Sequence, residues 1–254
     1  MRVFITGASS GIGAALARHY AATGATLGLA ARREDKLKAL AAMAGGDQHR
    51  VYPLDVADAE AVSAAANDFM ERLGTPHIVI ANAGVSVGTS LLHPEDAAAT
   101  RRVLETNVLG VVHSLQPFVA PMRAAGDGRL VGVASLAGLR GLPGAGAYCA
   151  SKAAVIACLE SLRVDLHGSG VKVVTLAPGY IETPMTAGNP YPMPFLTPVD
   201  AAARSMARAI ARGASFAVTP WQMAVVATLL KLTPRFLFDV LAARAGRKPR
   251  GLPL

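Results

Sequence analysis

The N-terminal segment of the chain reads Val3-Phe4-Ile5-Thr6-Gly7-Ala8-Ser9-Ser10-Gly11-Ile12-Gly13. Its short apolar run, ended by Thr6-Gly7, predicts a buried parallel strand. The Ala-rich stretch that follows predicts a helix to about Ala22. Glycines between a strand and a helix allow a tight turn, and the helix N-terminus presents free N–H groups to a phosphate. The pattern therefore predicts a nucleotide-phosphate site at Gly7, Ser9, Ser10, Gly11, Ile12 and Gly13.

A pair of arginines follows the second predicted strand. This strand, 26–31, ends at Arg32 and Arg33, with no acidic residue at its end. In dinucleotide-binding folds an acid at this point binds the ribose 2′-hydroxyl, whereas an arginine accommodates a 2′-phosphate. Two guanidinium groups therefore favour NADP(H) over NAD(H) as the cofactor. The alternative is that the two arginines are solvated and only precede the helix predicted for 34–44.

Two further predicted strands, 50–56 and 77–81, end in polar residues. Asp55, next to Val56, closes the first, and Asn82-Ala83-Gly84 follows the second. Asp55 could accept a hydrogen bond from the adenine amino group, or it could cap the helix that starts near 57–58. Because open α/β sheets bind ligands at the carboxyl ends of their strands, we expect these residues to line one groove.

An asparagine interrupts a long predicted helix, 95–123. Asn107 is an unfavourable residue in the middle of a helix, which indicates that its side chain makes a specific contact. A solvent-facing position is the alternative. The fifth predicted strand, 129–134, ends at Ser135, and the sixth, 171–176, ends at Pro178-Gly179.

A tyrosine and a lysine lie one helical turn apart in Tyr148-Cys149-Ala150-Ser151-Lys152. We expect the ammonium group of Lys152 to lower the pKa of Tyr148 from its ordinary value of about 10. Such a phenol can act as a general acid near neutral pH. The spacing also arises by chance, and the alternative is a half-buried ring beside a solvated lysine.

Strands and helices alternate along the chain, and a last strand is predicted for 215–218. This predicts an α/β protein with a Rossmann-type, doubly wound parallel sheet of about seven strands and helices on both faces. We assign 1–219 to one catalytic domain. Residues 220–254 form a C-terminal helical extension with a basic tail.

Together these motifs resemble the short-chain dehydrogenase/reductase family, in its NADP(H)-preferring group with a Tyr-x-x-x-Lys motif. The resemblance extends from Arg2 to about Thr186. It implies that Tyr148 exchanges a proton with a carbonyl oxygen, that Lys152 lowers the pKa of Tyr148 and holds the nicotinamide ribose, and that Ser135 binds the reacting oxygen. It implies that Asn107 holds a water in a proton relay. The further cofactor contacts that it implies are Asp55, Val56, Asn82, Ala83, Gly84, Pro178, Gly179, Ile181 and Thr183.

The implied function is an NADP(H)-dependent oxidoreductase, of the EC 1.1.1 type, that interconverts a ketone or aldehyde and an alcohol. The Pro-rich segment 185–198 offers Met, Tyr and Phe side chains, which favour an apolar or lipid-like small-molecule substrate. An ordinary surface loop is the alternative for this segment. The alternative is a catalytically silent NADP(H)-sensing or scaffold protein on the same fold.

The composition limits which other classes of protein and site the chain can belong to. The chain has 254 residues, 52% of them hydrophobic, and a formal net charge of +8. Cys149 and Cys158 lie nine residues apart on one predicted helix, so they face opposite sides and cannot form a disulfide. No Cys/His spacing typical of a metal site occurs. No secretory signal precedes the first strand, so we expect a cytoplasmic protein.

The basic character of the chain lies largely in its C-terminal extension. From residue 231 onward there are six basic side chains and one acidic side chain, which disfavours nucleic acid as the partner. The apolar stretches 221–230 and 236–241 are too short to span a bilayer and predict two amphipathic helices. These helices could contact a membrane surface, or they could complete the substrate pocket or pack on a partner subunit. The family resemblance implies a homo-oligomer, and a dimer is favoured over a tetramer because the extension could block the contact that the last strand makes in tetramers.

Overall fold

The computed structural model of the chain describes residues 1–251, so residues 252–254 of the predicted extension lie outside the described residues. Within residues 1–251 seven strands form one sheet in the order β3-β2-β1-β4-β5-β6-β7. Every neighbouring pair is parallel. The strands are β1 (Arg2–Thr6), β2 (Thr26–Ala31), β3 (Arg50–Pro53), β4 (Ile78–Ala81), β5 (Gly128–Val133), β6 (Val171–Pro178) and β7 (Phe216–Thr219). The predicted doubly wound sheet is confirmed.

Helices cover both faces of this sheet. They are α1 (Gly11–Ala22), α2 (Glu34–Met43), α3 (Ala59–Leu73), α4 (Ala97–Leu104), α5 (Gly110–Ala125), α6 (Gly146–Asp165), α7 (Pro184–Ala187), α8 (Val199–Ala211), α9 (Gln222–Leu232) and α10 (Arg235–Ala242). One buried cluster joins the sheet to α1, α2 and α8. A second cluster joins it to α3, α5 and α6 on the opposite face.

Aromatic packing fixes the second face of the sheet at its centre. The ring of Phe4, fully buried on β1, lies 5.5 Å from the ring centroid of Phe69 and 5.1 Å from that of Phe118. Burial of a side chain of this size stabilises a fold by about 1.5–3 kcal/mol. Because Phe4 immediately precedes Ile5-Thr6-Gly7, this packing holds the start of the glycine loop at the edge of the sheet.

The long helix predicted for 95–123 is interrupted in the structure. It begins at Ala97 as α4 and continues through a π-helical turn, Glu105–Leu109, into α5. The wider turn carries Asn107, which is completely buried, so the solvent-facing alternative is wrong. Turns of this kind occur often at functional sites.

The C-terminal extension folds as the two predicted helices. Met223 and Ala227 of α9 are buried against Leu136 and Ala177, whereas α10 has no buried residue. No helix of the described chain, up to residue 251, is long and apolar enough to cross a membrane. Cys149 is buried and Cys158 is exposed, and both are free thiols as predicted.

Candidate active site

A cavity of about 600 Å³ runs along the carboxyl edge of the sheet, where the strand order reverses between β1 and β4. Open α/β sheets bind ligands at this point. The arginine pair after β2 lines one part of the cavity, and Tyr148 and Lys152 of α6 line another. The predicted residues that line it are Gly7, Ser9, Ser10, Gly11, Ile12, Arg32, Arg33, Asp55, Val56, Asn82, Ala83, Gly84, Tyr148, Lys152, Pro178 and Thr183.

The glycine loop is tied to the end of β4. The side-chain amide of Asn82 donates hydrogen bonds to the carbonyl oxygens of Thr6 (3.1 Å) and Gly7 (3.2 Å). Gly7 has a φ of +66°, and a Cβ there would lie 2.7 Å from the Cα of Ala83. Only glycine therefore fits at position 7.

The N-terminus of α1 opens on the cavity. The helix begins at Gly11, and the side chain of the preceding Ser10 makes no capping hydrogen bond. The first N–H groups of a helix and its positive dipole end suit a pyrophosphate. The chemistry of this cradle fits the pyrophosphate of a dinucleotide.

The two arginines line the part of the cavity beside the glycine loop. Arg33 donates hydrogen bonds to the hydroxyls of Ser9 (3.0 Å) and Ser10 (2.8 Å), which places its guanidinium across the glycine loop. Both arginines are exposed, and both line the cavity. They therefore offer positive charge to an anion in this part of the cavity.

Asp55 does not cap the helix that follows it. Asp58 is the N-cap of α3 and accepts a hydrogen bond from the backbone N–H of Ala61 at 3.0 Å. Desolvation alone would raise the pKa of Asp55, but the hydrogen bonds from Ala57 N–H and the Arg102 guanidinium hold that pKa below its ordinary value. Asp55 is therefore a fixed anion on the wall of the cavity.

Tyr148 and Lys152 share one face of α6. The Nζ atom of Lys152 lies 5.8 Å from the ring centroid of Tyr148. Burial lowers the pKa of Lys152 to about 8. Burial also raises the pKa of Tyr148 to about 12, although hydrogen bonding with Ser135 acts in the opposite direction. In the protein alone the pKa of Tyr148 therefore lies above its ordinary value, with burial as the largest cause, and the effect of Lys152 on that pKa stays a prediction.

Ser135 and Asn107 lie behind this pair rather than on the cavity wall. Ser135 is buried, and its Oγ accepts a hydrogen bond from the backbone N–H of Ala137 at 3.2 Å. The Oδ1 of Asn107 accepts from the backbone N–H of Val85 at 2.8 Å. Its Nδ2 donates to the Val85 carbonyl oxygen and to the Oγ of Ser151, each at 3.0 Å. Asn107 thus joins the turn after β4 to the helix that carries Lys152.

Three predicted cofactor residues also lie outside the lining of the cavity. Gly13 packs against the carbonyl oxygen of Gly7, beneath the glycine loop. The backbone N–H of Gly179 donates to the carbonyl oxygen of Thr219 at 2.9 Å. Ile181 is buried, and its backbone pairs with Thr197. In the structure these three residues support the wall from behind.

The sequence reasoning missed part of the lining. Most of the missed residues flank a predicted position at a strand end, so the strand ends themselves were the available signal. Gly188 and Asn189 come from the Pro-rich segment, where no spacing marked them, whereas Met185 is one of the Met side chains that this segment was expected to offer to the substrate. The other missed residues are Ala31, Leu54, Val85, Ser86, Thr106, Val133, Ala134 and Pro184. Over residues 1–251 no cluster of His, Cys, Asp and Glu could hold a metal ion.

Comparison with known proteins identifies the family. The profile described as short chain dehydrogenase matches residues 1–191. The chain belongs to the short-chain dehydrogenase family. It is 40% identical over 242 residues to an uncharacterised oxidoreductase of Myxococcus xanthus, covering 94% of this chain and 95% of the relative. The chain is thus an oxidoreductase of the short-chain dehydrogenase family.

Solved structures of other members share the fold over most of their length. A short-chain dehydrogenase/reductase from Burkholderia phymatum, in complex with NAD, has a TM-score of 0.82 at 26% identity and covers 99% of this chain and 98% of its own. An alcohol dehydrogenase from Thermococcus sibiricus, complexed with 5-hydroxy-NADP, has a TM-score of 0.76 at 28% identity, with 85% and 94% covered. Short-chain dehydrogenases of this shape therefore bind nicotinamide dinucleotides of both kinds.

Proposed function

We propose that this short-chain dehydrogenase is an NADP(H)-dependent enzyme that interconverts a ketone or aldehyde and an alcohol. The observation that carries the proposal is the shared cavity, which Arg32 and Arg33 line together with Tyr148 and Lys152. Arg32 and Arg33 suit a cofactor with a 2′-phosphate, because their guanidinium groups can bind it. Tyr148 and Lys152 suit a carbonyl substrate, because the phenol can protonate the carbonyl oxygen. Residues 1–219 form the catalytic domain in this proposal, and 220–254 form its extension.

The residues present fit a bound NADP(H). The glycine loop and the N-terminus of α1 would hold the pyrophosphate, and Arg32 and Arg33 would hold the 2′-phosphate. Asp55 and Val56 would meet the adenine, and Asn82-Ala83-Gly84 would line the middle of the groove. Pro178, Gly179, Ile181 and Thr183 would surround the nicotinamide. The cofactor supplies the hydride for carbonyl reduction.

The protein's own part is to position the substrate and move one proton. Tyr148 donates its phenolic proton to the carbonyl oxygen, and in alcohol oxidation it takes the proton back. The Lys152 ammonium stabilises the phenolate that forms during reduction, and Ser135 hydrogen-bonds the reacting oxygen. Asn107 positions Val85 and Ser151 beside Lys152. The relay water at Asn107 stays a prediction.

The substrate end of the cavity supports an apolar substrate. Met185 lines it, and the neighbouring loop carries Tyr191, whose phenol is half-buried. Apolar and aromatic walls with few polar groups are typical of small-molecule sites. We therefore keep an apolar or lipid-like ketone as the substrate class.

NADPH consumption over a panel of aliphatic, alicyclic and aromatic ketones tests the function. We expect turnover with at least one apolar ketone and a lower KM for NADPH than for NADH. NADPH binding without turnover over the whole panel would favour the sensor or scaffold alternative, which no present observation supports.

We further propose how the protein associates with others. The exposed face of α9 and α10 carries apolar side chains together with Lys231 and Arg235, and the exposed Arg244 follows the end of α10. An apolar face with a basic border fits an anionic membrane surface. A symmetric self-contact through the same face would bring like charges together, so we assign the dimer contact to the long helices around Asn107 and Tyr148. We accordingly propose a cytoplasmic protein that is peripheral at the membrane.

A further inference from the structure

A short C-terminal segment crosses three loops beside the substrate end of the cavity. We call residues 246–250 the C-terminal strap. Its backbone meets the loop after β4, where the N–H of Gly88 donates to the carbonyl oxygen of Pro249 at 2.8 Å. Arg247 lies against Gly144, in the loop before α6. The strap therefore joins parts of the chain that are distant in sequence.

An ion pair fastens the end of the strap. The guanidinium of Arg250 contacts both carboxylate oxygens of Asp96 at 2.9–3.2 Å and the carboxylate of Glu95 at 2.8 Å. Asp96 is buried and also accepts a hydrogen bond from the backbone N–H of Ser90 at 2.8 Å. Hydrogen bonding from Arg250 holds the pKa of Asp96 below its ordinary value. Loss of Arg250 would leave a buried carboxylate without its cation, which is strongly unfavourable.

The other side of the strap holds the substrate loop. The Nζ of Lys248 donates to the Oδ1 of Asn189 at 3.4 Å, and Asn189 lines the cavity. Gly246 is pressed against Tyr191, where a Cβ on residue 246 would meet the Cβ of Tyr191 at 2.5 Å. Tyr191 is near enough to Tyr148 to add to the rise in its pKa, after the larger effect of burial. The strap thus holds the loop that faces the proton donor.

We propose that the C-terminal strap, fastened by Arg250 on Asp96, positions the substrate loop 188–191 beside Tyr148 and so sets the affinity for the substrate. Arg250 and Asp96 are positioning residues, since they act through the strap and the loop. The inference rests on the proposed function, because it concerns the carbonyl substrate of the same site. None of these strap contacts involves Arg32, Arg33 or the glycine loop.

The geometry supplies a variant that displaces the strap without removing any charge. A Cβ at Gly88 would meet the carbonyl oxygen of Lys248 and would lie 2.7 Å from that of Pro249. The φ of Gly88 is outside the positive region, so the local backbone accepts alanine. Gly88→Ala should therefore push the strap away and leave the catalytic residues in place.

Steady-state kinetics of the full chain test the consequence for the substrate. We expect Arg250→Ala and Gly88→Ala each to raise the ketone KM roughly fivefold or more, with kcat and the Kd for NADPH changed by less than about twofold. Arg250→Lys, which keeps the charge, should restore part of the loss. Arg208→Ala, an exposed arginine on α8, is the matched control and should behave as wild type. An unchanged KM, or an equal loss of NADPH affinity, would overturn the inference.

Hydrogen exchange of the same full-length variants gives a measurement that needs no turnover. Arg250→Ala should speed exchange at the Gly88 amide, which loses its Pro249 partner, and across residues 188–191. Unchanged exchange at 188–191 in both strap variants would refute the positioning role. If wild type reduces no ketone at all, the proposed function fails, while the exchange measurement still decides whether the strap orders the loop.

Discussion

The ammonium group of Lys152 donates a hydrogen bond of 2.8 Å to the carbonyl oxygen of Val133, the last residue of β5. This contact fixes a buried cation at the carboxyl edge of the sheet, one helical turn from Tyr148. Burial lowers the pKa of Lys152 to about 8, so the group keeps most of its charge at neutral pH and loses it in mild alkali. Burial of this ammonium, whose charge would stabilise a Tyr148 phenolate, therefore lowers the free energy of unfolding at neutral pH.

The buried ammonium predicts that the difference in free energy of unfolding between wild type and Lys152→Met depends on pH. The lysine loses its proton near pH 8 in the folded protein but near pH 10.5 in the unfolded chain. Between these values the unfolded state binds more protons, so the stability of wild type rises with pH. We expect the free energy of unfolding of wild type, relative to Lys152→Met, to rise by about 2 kcal/mol from pH 7 to pH 10.

Urea unfolding at several pH values measures this difference. The methionine variant keeps the length of the side chain and removes the titrating group, so it cancels the pH dependence of the other residues. A constant difference between the two proteins over that range would contradict the lowered pKa of Lys152.

Removal of the phenolic hydroxyl tests the proton donor. Tyr148→Phe keeps the ring against its neighbours and removes only the proton, so we expect kcat for ketone reduction to fall by about 10²–10⁴-fold. The Kd for NADPH should change little. Cofactor fluorescence titration and single-turnover kinetics give the two quantities. Full activity of the phenylalanine variant would rule out Tyr148 as the acid.

The arginine pair predicts which cofactor is preferred. Loss of one charge-assisted contact to a 2′-phosphate costs about 1.5–3 kcal/mol, so Arg33→Ala should weaken NADPH binding by about 10–100-fold. NADH has no 2′-phosphate, and its affinity should change by less than about threefold. Arg32→Ala should act in the same direction.

Calorimetric titration of both cofactors measures the effect, with Arg208→Ala as the control for a lost surface charge. Equal losses for NADPH and NADH in the Arg33 variant would show that the residue only orders the hydroxyls of Ser9 and Ser10, which it contacts in the structure.

The exposed apolar face of the extension predicts membrane binding. Phe236 is 74% exposed and Val240 is 62% exposed, both on α10. Phe236→Glu combined with Val240→Glu should reduce co-sedimentation with anionic lipid vesicles by about fivefold or more, and added salt should weaken wild-type binding. Met43→Glu, which changes an equally exposed side chain on α2, is the control.

Light scattering of the same variants separates the two possible roles of this face. A dimer that becomes monomeric in the α10 variant, without any loss of vesicle binding, would show that the face is a subunit contact. Equal sedimentation of wild type and the α10 variant would contradict the membrane proposal.

Several features of the site could be predicted because they depend on local chemistry. The glycine loop needs a positive φ at Gly7 and a helix N-terminus shortly after it. Residues that are close together in the sequence meet both requirements. Arg32 and Arg33 follow a strand that alternating β and α segments place at the ligand edge. The spacing of Tyr148 and Lys152 fixes their common face, since an α-helix permits little else.

The electrostatic state of that pair depended on the surroundings. The opposite charges suggested a lowered pKa for Tyr148, whereas burial raises it to about 12. Desolvation depends on every atom around a group, and the neighbours of Tyr148 include Ser135, after β5, and Tyr191, which are far apart in the chain. The sequence pattern contained the pair but not its environment.

The sequence alone thus determined the family, the doubly wound sheet and the order of the motifs along its carboxyl edge, because these follow from short segments with strict backbone requirements. Only the tertiary structure decided that Asn107 turns inward through a π-helical turn, and that Arg250 returns to Asp96 while Lys248 contacts Asn189 of the cavity lining. The physical reason is that contacts between distant residues depend on how loops and helix ends pack. The spacing of residues along the sequence does not predict that packing.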